Sequence, residues 1–162
     1  MENKIKTILE IKEVCNNSRS EGKKIVTTNG SFDILHIGHV RYLQEAKKSG
    51  DVLIILLNSD SSVKSLKGDK RPIIPEQERA EMLASLECVD YVVIFSEDKP
   101  LDLLKEVKPN FHVKGGTFVP ERIKEEKDLI ESWGGKHITL PEIKGLSTTN
   151  VINKILDSYK DD

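Results

Sequence analysis

The sequence is short of the features that mark a specialised chain. Its 162 residues hold two cysteines, Cys15 and Cys88, far apart and each in an apolar context. They make neither a metal-type pair nor a disulfide framework, so the expectation is two reduced, buried thiols. The longest uninterrupted apolar run, Val52–Leu57, is far below the ~18–20 residues that span a bilayer. The opening Met-Glu-Asn-Lys-Ile-Lys lacks the charged-then-apolar pattern of a signal peptide. A cytoplasmic protein without a membrane segment is therefore expected. Aromatics are 5%, and 25 Lys and Arg against 27 Asp and Glu leave a net charge of −2. With neither a basic stripe nor interleaved stacking residues, nucleic acid is not an expected partner. No G-x-x-x-x-G-K-[ST] and no G-x-G-x-x-G occurs, which excludes a P-loop and a dinucleotide fingerprint. Repeats, low-complexity tracts and Pro/Gly/Ser linkers are also missing.

What remains is a chain of one-domain length, at about 150 residues per domain, long enough for a core without staples. Short apolar runs alternate with segments of helical spacing. An opening helix carries Ile5, Ile8, Leu9, Ile11 and Val14. Strands are expected at Lys24–Thr28, Val52–Leu57, Tyr91–Phe95, Phe111–Val113 and His137–Leu140. Helices are expected at Val40–Lys48, Pro75–Glu87, Leu101–Val107, Glu121–Trp133 and Thr148–Tyr159, the last with Val151, Ile152, Ile155 and Leu156 on one stripe. Val52–Leu57 does not alternate, so it reads as a strand buried on both faces. This pattern predicts a parallel sheet covered by helices on both sides. Ligands of such sheets bind beyond the carboxyl ends of the strands, where the strand order reverses.

The turn after the first strand reads Thr28-Asn29-Gly30-Ser31-Phe32-Asp33-Ile34-Leu35-His36-Ile37-Gly38-His39. Two histidines flank Ile-Gly at the entrance to a helix. Gly38 permits a tight turn, and His39 falls in the first helical turn, where free N–H groups and the dipole favour an anion. Both imidazoles can donate to one phosphate, neutral or charged. The competing readings are unrelated loop histidines, or a zinc site with Asp33, for which no further Cys or His is near.

The whole stretch resembles the signature of the cytidylyltransferase-like nucleotidyltransferase superfamily. Asn58-Ser59-Asp60, Glu78-Arg79 and Ser147-Thr148-Thr149 match the same superfamily in order, so the resemblance runs from about Lys24 to Leu156. Leu66-Lys67-Gly68-Asp69-Lys70-Arg71-Pro72 and Val113-Lys114-Gly115-Gly116 resemble its sugar-activating branch, the D-glycero-β-D-manno-heptose 1-phosphate adenylyltransferases. Thr117-Phe118 stands where those enzymes usually carry Asp-Tyr. Glu142 replaces an Arg of the glycerol-phosphate cytidylyltransferases. The resemblance implies one nucleotidyltransferase domain over residues 1–162, with a helix in 1–22 packed on it. The fold implied is a single Rossmann-like, doubly wound parallel α/β sheet with helices on both faces.

The activity implied is transfer of AMP from ATP, with Mg²⁺, to a sugar 1-phosphate, releasing pyrophosphate. His36, His39 and Lys67 are the expected catalytic residues. Ser31, Phe32, His36, His39, Lys114, Gly115, Ser147 and Thr148 are expected on the nucleotide, and Asn58, Asp60, Arg71 and Arg79 on the other substrate. Each has a plainer alternative. Lys67, Lys70 and Arg71 can form a solvated cluster in a polar connection, and Asn58, Asp60 and Ser147 can cap helices. Arg79 can pair with Glu76 or Glu78. The glycines of Lys114-Gly115-Gly116 can serve a turn. Asp33 is a candidate Mg²⁺ ligand or an anchor for a neighbouring loop. His112, His137 and Trp133 read as structural. A homodimer and a separate upstream sugar kinase are implied partners. The alternatives are a CTP-dependent polyol-phosphate cytidylyltransferase, a flavin adenylyltransferase, and a non-catalytic nucleotide-sensing module.

Overall fold

The computed structural model describes residues 2–115, 120–141 and 145–160. Gly116, Thr117, Phe118 and Glu142, singled out above, lie outside them. Five parallel strands form one sheet: β1 (Ile25–Gly30), β2 (Val52–Asn58), β3 (Tyr91–Phe95), β4 (Phe111–Gly115) and β5 (Lys136–Leu140). Their order is β3-β2-β1-β4-β5. The chain runs outward from β1 to β3, then crosses back to place β4 on the other side of β1. The order therefore reverses between β1 and β4, whose carboxyl ends carry Gly30 and Gly115. That is where a ligand crevice is expected.

Helices α1 (Ile8–Ser20), α5 (Leu101–Val107) and α6 (Pro120–Glu131) cover one face. Helices α2 (Ile37–Lys47) and α4 (Glu76–Ala84) cover the other. All of β2 is buried, Leu53, Ile55 and Leu57 facing the α2–α4 side and Val52, Ile54 and Leu56 the α1–α5 side. The period-two alternation is hidden in the sequence because both faces need apolar side chains. The expected doubly wound α/β sheet is the observed one.

Several local expectations are corrected. The first helix begins at Ile8, because Thr7 and Glu10 form a reciprocal capping box. Ile5 instead bridges to Val92 and packs into the core, while Ile8 and Leu9 are exposed and Ile11, Cys15 and Ser18 turn inward. The connection after β2 contains a helix, α3 (Asp60–Lys67), capped by Ser59, whose hydroxyl accepts from Ser62 N. Helix α4 stops at Ala84, leaving Glu87 exposed. Cys88 is half-buried rather than buried. The final helix, α7 (Thr148–Ser158), buries none of its residues, so its apolar stripe does not enter the core.

The largest wholly buried side chain is Arg79 of α4. Its Nε donates to Ile74 O at 2.9 Å, and Nη1 to Ser31 O at 2.5 Å and Asn58 O at 2.9 Å. Its Nη2 pairs with Asp60 Oδ1 at 2.7 Å. One guanidinium thus joins the turn after β1, the end of β2, the start of α3 and the loop before α4. The expected substrate contact and the expected pairing with Glu76 or Glu78 are both replaced by this arrangement. Arg79→Met should lower the unfolding free energy in urea by more than about 2 kcal/mol, because buried carbonyls lose their donors. Arg79→Lys should recover little, since one ammonium cannot reproduce the planar fork. Near wild-type stability of either variant would contradict the assigned role.

Candidate functional site

The turn after β1 builds the site in three steps. Phe32 adopts a left-handed φ of 42° and turns its ring back onto Gly30, where a Cβ would lie 3.1 Å from Phe32 Cε2. The ring is buried and packs in the core. It meets the edge of His39 at 5.3 Å between centroids. His36 then occupies the N-cap position of α2 without a side-chain capping bond, and His39 follows three residues later. The two imidazoles stack at 3.8 Å. Gly38 is required between them, because a Cβ there would come within 2.9 Å of His36 Nδ1 and 3.0 Å of Leu146 Cβ. The same contact brings the segment leading to Ser147, the N-cap of α7, alongside the histidine turn.

Burial lowers the pKa of both imidazoles. For His39, burial, His36 and the charge of Lys67 bring it down to about 4. Both rings are therefore neutral at pH 7. Their Nδ1 atoms are buried and make no hydrogen bond within the protein. Two stacked neutral donor–acceptor rings at a helix N-terminus, where the dipole end is positive, suit an anion that both can touch.

Two cations are tied to the turn that carries the pair. Lys67, the last residue of α3, donates to Ser31 Oγ at 2.7 Å. Arg71 is anchored through Nε by Asp33, whose other oxygen accepts from Ile73 N at 2.8 Å and Ile74 N at 2.9 Å. Asp33 is 1% exposed, and these bonds hold its pKa down against the opposing pull of burial. That arrangement replaces the candidate metal ligand with the loop anchor. Arg71 keeps Nη2 buried without a hydrogen-bond partner in the protein. Asp60 Oδ1 is taken by Arg79, and Asn58 Nδ2 donates to Ser62 Oγ at 2.9 Å; the cap of α3 is Ser59, between them. No group of three His, Cys, Asp or Glu among the described residues is arranged to hold a metal ion.

Across the crevice, Tyr42 of α2 donates to Val113 O at 2.8 Å and meets Thr28 Oγ1 at 2.5 Å. Its ring lies over Gly115, where a Cβ would approach within 2.7 Å, so packing dictates that glycine. Lys114 is 9% exposed on the opposite face, donating to Asn29 Oδ1 of β1. Glu126 of α6 lies beneath it at 3.2 Å, and His112 Nε2 is 3.3 Å from the same carboxylate oxygen. Sequence reading passed over Glu126. Its signal was present: an acid four residues before the buried Ile130, on the inward side of an otherwise charged helix.

The cytidylyltransferase-like family profile matches residues 27–154. A protein of Geobacter metallireducens named bifunctional protein HldE is 53% identical over 96% of this chain and 32% of its own length. Its namesake in Trichlorobacter lovleyi is 49% identical over 99% of this chain and 33% of its own length. The chain thus spans about a third of these curated relatives. The solved structure of a lipopolysaccharide core biosynthesis protein from Thermoplasma volcanium aligns with a TM-score of 0.65 and 31% identity, covering 76% of this chain and all of the other. A pantoate-beta-alanine ligase from Francisella tularensis aligns with a TM-score of 0.63 over 98% of this chain and 79% of its own, at 19% identity, and shares the fold. With the profile spanning most of the sequence and a solved relative covered along its whole length, the chain belongs to the cytidylyltransferase-like family.

Proposed function

We propose that this chain joins the AMP moiety of ATP to a sugar 1-phosphate, in the first instance D-glycero-β-D-manno-heptose 1-phosphate, giving an ADP-sugar and pyrophosphate. The observation that carries this reading is the stacked His36–His39 pair at the N-terminus of α2, with both Nδ1 atoms buried and unpartnered beside Lys67 and Arg71. The HldE relatives support the branch, and the Thermoplasma relative, named for lipopolysaccharide core biosynthesis, is in keeping with an activated sugar as product.

The sugar phosphate, with a second pKa of ~6, is mostly a dianion at pH 7 and needs no base to become a nucleophile. Its oxygen attacks the α-phosphorus in line. The bond from that phosphorus to the oxygen bridging to the β-phosphate breaks, and pyrophosphate leaves with the electron pair. What remains for the protein is positioning and charge stabilisation. His36 and His39 donate to α-phosphate oxygens as charge grows there. Lys67 holds the β- and γ-phosphates, and the buried Nη2 of Arg71 meets a phosphate of either substrate. Lys114 and the start of α7 at Ser147 and Thr148 complete the nucleotide's surroundings.

Mg²⁺ would enter with the triphosphate and neutralise part of its charge; Asp33 is engaged by Arg71 and the amides of Ile73 and Ile74 and would not hold it. The reading also places residues 1–162 in one domain acting in the cytoplasm, as a homodimer, on a sugar 1-phosphate supplied by a kinase activity. Among the described residues no helix is long and apolar enough to cross a membrane.

His39→Ala should fold with an unchanged melting profile and lose at least about a hundredfold in kcat for pyrophosphate release. Turnover near wild type would remove the histidine pair from the transition state. Lys67→Ala should weaken triphosphate-dependent turnover more than binding of the ADP-sugar product; equal losses would argue against a triphosphate clamp. Stability should also depend on pH in a stated direction. His39 is held at about 4 in the fold against an ordinary 6.5, so the unfolded chain binds more protons between these values. Stability is then fully present above about 6.5 and falls as pH drops toward 4. His112 and His137 share the sign, so His39→Gln should reduce that slope in thermal melts without abolishing it. An unchanged slope would contradict the burial of His39.

A further inference from the structure

Helix α6 turns most of its charged residues to solvent: Lys124, Glu125, Lys127, Asp128 and Glu131 are all exposed. Glu126 is the exception, 6% exposed against the sheet. Replacing a buried ion pair with apolar side chains is often neutral or stabilising, so core packing alone gives no reason to keep a carboxylate there. Its surroundings supply one. Glu126 Oε2 stands 3.2 Å from the ammonium of Lys114 and 3.3 Å from His112 Nε2. His112 is wholly buried, and its Nδ1 meets Thr27 Oγ1 at 2.8 Å. His112 Nε2 stays within ion-pair distance of Glu126 Oε2 without forming a hydrogen bond to it. Lys114 is gripped a second time by Asn29 Oδ1. Thr27 and His112 are paired in register across β1 and β4, the strands between which the order reverses.

We propose that Glu126 is a positioning residue, fixing the ammonium of Lys114 at the β1–β4 crevice through an ion pair braced by His112. This rests on the reading of Lys114 as a nucleotide contact. Among the described contacts Lys114 pairs with Glu126, and His112, whose pKa burial lowers, is neutral beside them. Burial works against the ionised form of Glu126, yet His112 and Lys114 bring its pKa down to about 2. The carboxylate is therefore ionised throughout the neutral range and stands as a counter-charge to the Lys114 ammonium. A fixed lysine is a preformed phosphate or ribose contact, with less side-chain entropy left to lose on binding.

The test is calorimetric titration of ATP into the full chain and four variants: Lys114→Met, Glu126→Gln, Glu126→Asp and the double Lys114→Met/Glu126→Gln. Lys114→Met and Glu126→Gln should each weaken ATP binding by about tenfold, and the double variant should bind within about twofold of Lys114→Met alone. Glu126→Asp, which keeps the charge, should recover part of the loss. If Glu126→Gln fails to fold because it strands a buried ammonium, the double variant, which carries neither charge, and Glu126→Asp still decide the matter. Separate losses that multiply in the double variant would show a merely structural Glu126 and overturn the proposal. So would wild-type affinity in Lys114→Met, with the site reading intact if His39→Ala still abolishes turnover. A folded wild-type chain that does not bind ATP overturns the site reading and this proposal together.

Discussion

The turn after β1 has no strand partner of its own, and one buried guanidinium holds it in place. Arg79 donates to Ser31 O in that turn and to Asn58 O at the end of β2, and pairs with Asp60 at the start of α3. These are segments that a parallel sheet leaves as loops at its carboxyl edge, and their carbonyls would otherwise be buried without donors. With Ser31 fixed, Phe32 turns back on Gly30, His36 reaches the N-cap of α2, and Lys67 meets the Ser31 hydroxyl. Arg79 therefore acts on the site from beneath, without facing a ligand.

A second, smaller constraint works the same way. Asp33 gathers Arg71 and the amides of Ile73 and Ile74, tying the loop before α4 to the β1 turn. On the far side of the crevice, Glu126 and Asn29 grip Lys114. The chain as a whole carries a net charge of −2, yet Lys67 and Arg71 are tied to the turn that carries the two imidazoles, and Lys114 to Asn29 near the end of β1. Net charge describes colloidal behaviour; it is local placement, enforced by buried carboxylates, that suits a polyanion.

The parts of this arrangement that could be read in the sequence are those set by local pattern. The all-apolar β2, the helical spacing of α4 and α5, and the His-x-Gly-His turn all lie within short windows. The parts that escaped depend on partners distant in sequence. Arg79 read as a substrate contact or a partner of Glu76 or Glu78, because nothing local shows that it is enclosed by Ser31, Asn58 and Asp60. Glu126 looked like one charge among many on α6, until β4 placed His112 and Lys114 beneath it. Gly115 read as a ligand approach or a turn, whereas the Tyr42 ring packs where its Cβ would lie. Helix α3 was hidden because Asp60–Lys67 is short, polar and carries three serines after its Ser59 cap, so its pattern is that of a loop.

The central claim is that the α-phosphorus of ATP is the atom transferred. Incubating the wild-type chain with ATP labelled at the α-phosphate and a panel of sugar 1-phosphates, with CTP in parallel, tests this directly. The account predicts that label enters a nucleotide-sugar with one heptose 1-phosphate and ATP, and that the pyrophosphate released is unlabelled. Release of unlabelled inorganic phosphate with label left in ADP, or label transferred only from CTP, would contradict it.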